Sequence, residues 1–142
     1  MKLQNFDFRI WDKNKNRFRT KDCSINFHFN EEHKRENWFK VFVYSYENVN
    51  GIRDKNLWGV HAEYYKDDEA EIELFTGLKD KNGNDIYEGD ILQDSKGNIN
   101  VVSFSYDSGF IVFEDSCLHE LNLKSLEVIG NIHKNPELLD KE

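Results

Sequence analysis

Short alternating or aromatic runs, each stopped by a turn rich in Gly, Asn or Asp, leave this chain little to fold into besides antiparallel β-sheet. The runs fall at Phe6–Trp11, Trp38–Tyr46, Trp58–Tyr65, Ile72–Leu78, Ile99–Tyr106, Phe110–Phe113 and Leu126–Ile132. Their spacing and the regular turns between them argue for a small barrel or sandwich rather than βαβ units. Asn82-Gly83 reads as a type I′ turn, with both central residues at positive φ. Lys96-Gly97-Asn98 and Asp107-Ser108-Gly109 follow the same logic. Pro136 is the only proline, so Gly, Asn and Asp do the turning.

Helix signals are few. Residues 31–37 have no apolar stripe and predict a surface turn or one short helix capped by Asn30. Asn135-Pro136-Glu137 predicts one helical turn, with Pro at the first position. The polar stretch Glu47–Asn56 reads as a linker or long loop, and Lys66–Glu69 as an acidic loop. The division expected is a β-rich N-terminal lobe over residues 1–70 and a β domain over residues 71–142.

Of the 142 residues, 38% are hydrophobic and 14% aromatic, enough to build a core. The expected buried set is Phe75, Leu78, Ile86, Tyr87, Ile91, Val101, Phe104, Ile111, Phe113, Leu126, Val128, Ile129 and Ile132. No run of apolar residues is long enough to cross a membrane as a helix. The N-terminus lacks the apolar stretch of a signal peptide. Cys23 and Cys117 stand 94 positions apart, and both are expected as reduced thiols of a cytoplasmic protein.

The net charge of −8 is unevenly spread. Residues 1–70 hold 13 basic and 12 acidic side chains, net +1, whereas residues 71–142 hold 6 and 15, net −9. Arg9, Lys13, Lys15, Arg17, Arg19 and Lys21 crowd one stretch against a single acid, Asp12. That stretch is the candidate contact for nucleic acid or an acidic partner. The overall acidity disfavours nucleic acid, because phosphate binding is driven by Lys and Arg contacts. Phe42, Tyr44 and Tyr46 share one face of their strand and form either a buried wall or a stacking platform.

Gly83, Gly89 and Asp90 mark structural corners within Phe75–Leu92. Glycine supplies a tight corner where a Cβ would clash, and Asp90 can accept from neighbouring N–H groups. Asp80, Asn82 and Asn84 alternate as in a calcium loop. The pattern fails because Asp85 stands where that loop needs Gly, and Ile91 where it needs Glu. Cys23, His28 and His33 fit no zinc spacing. Asp85, Glu88 and Asp90 come from one short segment, unlike the acid pairs of hydrolases. No nucleotide-binding or nucleophile motif is present. The chain is therefore expected to be no enzyme, with no catalytic residue, metal or cofactor.

Three blocks resemble the YopX family of bacteriophage and prophage proteins: Phe8–Asp12, Phe75–Leu92 and Glu127–Leu139. The resemblance implies a mainly β protein whose C-terminal part is a small SH3-like barrel; the strand pattern adds a β-rich N-terminal lobe with few short helices. It implies no activity and no catalytic residues. The expectation is an accessory protein of the bacterial cytoplasm, acting as a protein-interaction module. Its partner is a protein or a second copy of itself, and it has no membrane role. Nucleic-acid binding through Arg9–Lys21 is the alternative.

Overall fold

A computed structural model describes residues 6–19, 23–28, 38–48, 58–64, 69–113 and 116–140. The chain is mainly β, with three short 3₁₀ turns among the described residues. It divides into two compact units, Met1–Trp11 with Ile72–Glu142, and Asp12–Glu71. The first β-strand is thus grouped with residues beyond 72, although a cut at residue 70 would assign it to the other unit.

The Asp12–Glu71 unit contains β2 (Arg17–Arg19), β3 (Cys23–His28), β4 (Trp38–Asn48) and β5 (Trp58–Tyr64). β3, β4 and β5 form an antiparallel sheet in that order. Its register runs from Cys23 opposite Val43 to His28 opposite Trp38, and from Phe42 opposite Tyr64 to Asn48 opposite Trp58. The polar segments at 30–37, 49–56 and 66–68 lie outside the described residues, as do the side chains of Phe42, Tyr44, Tyr46, Cys23, His28 and His33.

The other unit opens with β1 (Phe8–Asp12), whose last residue falls at the division, and resumes within β6 (Ala70–Lys79). β7 (Asp85–Tyr87) follows as the partner of β6, with Phe75 opposite Tyr87. The amide of Phe75 donates to the carbonyl of Asp7 at 2.9 Å, tying β6 to the chain at β1. β8 (Asp90–Gln93) sits between β9 (Ile99–Val101) and β13 (Glu127–Asn131). β10 (Ser103–Ser105), β11 (Gly109–Val112) and β12 (Ser116–Cys117) form a third sheet in that order. 3₁₀ turns occupy Leu118–Glu120, Leu123–Ser125 and Pro136–Leu138.

The core joins Ile86, Leu92, Val102, Val112, Leu118 and Leu126. Val102 and Val112 are buried, whereas Val101 and Ile111 are only half-buried, so the inward positions fall one residue later than expected. The cause is local. Val102 separates β9 from β10, its amide donating to the Asp90 carbonyl at 2.9 Å and its carbonyl accepting from Gly89 at 2.8 Å. A single inserted residue reverses which side chains face in. Phe104 correspondingly lies on the outside, 45% exposed.

The turn at Asn82-Gly83 corrects the expectation of type I′. Gly83 has φ of +81°, but Asn82 does not enter the positive region. The Asp80 carboxylate accepts the amides of Asn82 and Asn84, each at 2.9 Å, and the Asp80 carbonyl accepts that of Gly83 at 3.0 Å. Those bonds select another turn, with glycine alone in the left-handed region.

Candidate functional site

Three surfaces or clusters bear on function, and the first is internal. Arg9 projects from β1, Glu73 from β6, Asp90 from β8 and Asn131 from β13, and all four meet. Arg9 Nε donates to Glu73 Oε2 at 2.6 Å, and Arg9 Nη2 donates to Asp90 Oδ1. The guanidinium carbon stands 4.6 Å from the centre of the Tyr87 ring, a cation–π distance. Asn131 Nδ2 spans the two Glu73 oxygens at 3.4 and 3.2 Å and reaches Asp90 Oδ1 at 3.5 Å. His133 Nε2 lies 3.0 Å from Glu73 Oε1, and its ring stacks on Trp11 at 4.8 Å between centroids.

The local chain explains the convergence. Gly89 takes φ of +81°, and a Cβ there would run into the Glu73 carboxylate. Glycine is needed both for the turn and for the room. Asp90 then uses its second oxygen to accept the Tyr87 amide at 2.8 Å, closing the corner between β7 and β8. Tyr87 sends its hydroxyl to Asp7 Oδ2 at 2.6 Å. Burial, and then the hydrogen bond and charge of Asp7, push the Tyr87 phenol well above its usual range.

Glu73 and Asp90 are 3% and 2% exposed. One guanidinium faces these two carboxylates directly. Burial raises the Glu73 carboxyl above its ordinary value, against the opposing pull of Arg9, Asn131 and His133. Glu73 is engaged by Arg9 and Asn131 with His133 beside it, and Asp90 by Arg9, Asn131 and the Tyr87 amide. Through these contacts the cluster ties β1, β6, β8 and β13 together. Among the described residues, no group of His, Cys, Asp and Glu is arranged to hold a metal ion.

The second feature is the basic stretch. Lys13 and Lys15 are exposed on the turn after β1, and Arg17 is exposed at the start of β2. Lys13 Nζ lies 2.8 Å from Glu71 Oε1, and Arg19 Nε lies 3.3 Å from the buried Asp12. Asp12 also accepts the Lys15 amide at 2.9 Å, which shapes the turn. Arg9 faces inward in the cluster above, and Lys21 lies outside the described residues. Arg9 could not be separated from the others by composition, because its partners are 64 and 81 positions away.

The third feature escaped the sequence reading, which placed Phe104 in the core. Phe104 and Phe110 are cross-strand partners on β10 and β11, with ring centres 5.4 Å apart at 71°. Phe110 packs against the core. Phe104 in turn meets Tyr106 edge-on at 5.9 Å, and Tyr106 is 99% exposed. The rings descend stepwise from core to solvent. The available signal was the polar pair Ser103 and Ser105 flanking Phe104, which leaves an aromatic residue on a strand with little else to bury.

These features define a class, a mainly β protein in which, among the described residues, Arg9 is paired with the buried Glu73 and Asp90. Comparison with known proteins then places the chain more narrowly. The chain belongs to the YopX family of bacteriophage and prophage proteins, the family described as YopX protein matching residues 7–140. It is similar in fold to the crystal structure of protein EF1440 from Enterococcus faecalis. The TM-score is 0.60 at 23% identity, covering 94% of this chain and 97% of that one. No curated protein matches it.

Proposed function

We propose that this protein is a non-enzymatic accessory protein that acts as a protein-interaction module in the bacterial cytoplasm. In this reading the strands of residues 72–140 make up an SH3-like barrel whose surface carries the contact. The observation that carries it is the exposed Phe104–Tyr106 step on a unit whose buried carboxylates are already engaged by Arg9, Asn131 and backbone. Exposed neighbouring aromatics on an otherwise polar surface mark contact sites. The net charge of −9 over residues 71–142 favours a basic partner.

The exposed Lys13, Lys15 and Arg17 support a second reading, nucleic-acid binding. An anisotropy titration against labelled single- and double-stranded DNA and RNA, at low and near-physiological salt, separates the two. Protein interaction predicts no saturable binding even at low salt. Saturable, salt-sensitive binding that vanishes in Lys15→Glu/Arg17→Glu but survives Lys124→Glu would overturn it for nucleic acid.

A further inference from the structure

We propose that the outer edge of β10, together with the Phe104–Tyr106 step, is a docking site for an extended, Lys- and Arg-bearing segment of a protein partner. This rests on the interaction-module reading and specifies its partner. β10 is the terminal strand of its sheet, and among the described residues its pairing is with β11 alone. An edge strand presents a row of backbone donors and acceptors that another chain can extend. Proteins commonly blunt such edges with lysine or proline, and Ser103-Phe104-Ser105-Tyr106 contains neither.

The charge of the partner follows from the surroundings. From Gly97 to Leu123 the chain carries four acids, Asp107, Glu114, Asp115 and Glu120, and no lysine or arginine. Asp107 is exposed directly after Tyr106. A strand added to β10 points alternate side chains to the ring-bearing face. Lys or Arg at those positions meets the faces of Phe104 and Tyr106, a cation–π contact made more often by arginine, and the exposed Asp107 that follows them. The acidic balance of this segment disfavours phosphate, and with it nucleic acid.

The test uses the full chain labelled with ¹⁵N and three ten-residue probe peptides. One alternates Arg and Val, one alternates Glu and Val, and one is the Arg–Val peptide with two central prolines. The Arg–Val peptide should shift the amides of Ser103–Ser105 and slow their exchange with solvent. The proline version should bind at least tenfold more weakly. Tyr106→Ser and Asp107→Lys should each weaken binding about tenfold, and both positions are exposed, so the fold stays intact. Equal binding by the Glu–Val peptide would keep the interaction face and overturn the basic partner. No shift within Ser103–Val112 with any peptide would overturn this docking site, while the interaction-module reading stands or falls by the nucleic-acid titration. Exchange protection of β10 that rises with protein concentration alone would overturn the proposal in favour of a second copy as occupant.

Discussion

Two turns in this protein have the same sequence pattern and different surroundings. Asp80-Lys81-Asn82-Gly83-Asn84 and Asp94-Ser95-Lys96-Gly97-Asn98 both read Asp-x-x-Gly-Asn. In each, the aspartate carboxylate accepts the amides two and four residues on and the Asn side chain. In each, the glycine takes positive φ, +81° and +88°. The difference lies outside the pentapeptides. Asp80 is 6% exposed and also accepts the Val128 amide at 3.0 Å, while Lys81 donates from its backbone to Leu126 at 2.9 Å. The Asp94 turn has no such bond to a distant strand among the described residues. A five-residue code thus writes the turn, and tertiary contact decides what the turn holds.

Replacing the aspartates should separate them most. Asp80→Ala removes the acceptor for three amides, one of them on β13, and is expected to cost about 3 kcal/mol. Thermal or urea unfolding measures it, and a loss no larger than that of Asp94→Ala would erase the distinction. The glycines should behave alike. An added Cβ meets nothing within 4 Å at Gly83 or Gly97, so only backbone strain acts. Gly83→Ala and Gly97→Ala should each cost about 1–2 kcal/mol, and a large inequality would reveal a neighbour at one site.

Acid sharpens the contrast. Burial would raise the Asp80 carboxyl, but the amides of Val128, Asn84 and Asn82 and the Asn84 side chain together hold it below its ordinary value. A lowered folded value means stability that is present above the ordinary 3.8 and lost as pH falls through the folded value. Asp80→Asn should flatten that acid limb of a stability profile. Glu73 has the opposite sign. Its raised value gives stability present below the ordinary 4.5 and lost as pH rises through the folded value. Glu73→Gln should remove that decline. The smallest effect belongs to Asp94→Ala. Its carboxyl is lowered chiefly by the Asn98 side chain, in open solvent. Its amide spectrum should change within residues 94–98 and hardly elsewhere.

Sequence made the turns legible because Gly and Asn punctuate them locally. It misread the Asn82-Gly83 geometry because the deciding group, the Asp80 carboxylate, precedes the dipeptide by two residues. The strand at Cys23–His28 was missed although Cys23, Ile25 and Phe27 alternate with Ser24, Asn26 and His28, because the run is short and lacks the aromatic density of its neighbours. Ile99–Tyr106 was read as one strand, although Val102 breaks it in two, which moved the burial pattern by one residue. Arg9 was the deepest gap. Sequence groups it with the cations from Lys13 to Lys21, whereas its partners in space are Glu73, Asp90 and the ring of Tyr87.

Arg9 also sets the order in which this molecule can be made. Asn131, which completes the hydrogen bonding of Glu73, follows Arg9 by 122 positions in the chain. At about 5–20 residues per second, a ribosome needs roughly 6–24 s to supply it. Glu73 and Asp90, the charges Arg9 binds, arrive 64 and 81 positions after it, and the cluster lacks Asn131 until the interval ends, so cohesion built from such distant pairs forms late. Nascent chains arrested before residue 131 should stay protease-sensitive beyond residue 72, and protection there at that stage would show that the cluster is dispensable for closure. The earliest strand to be synthesised is therefore among the last to find its place.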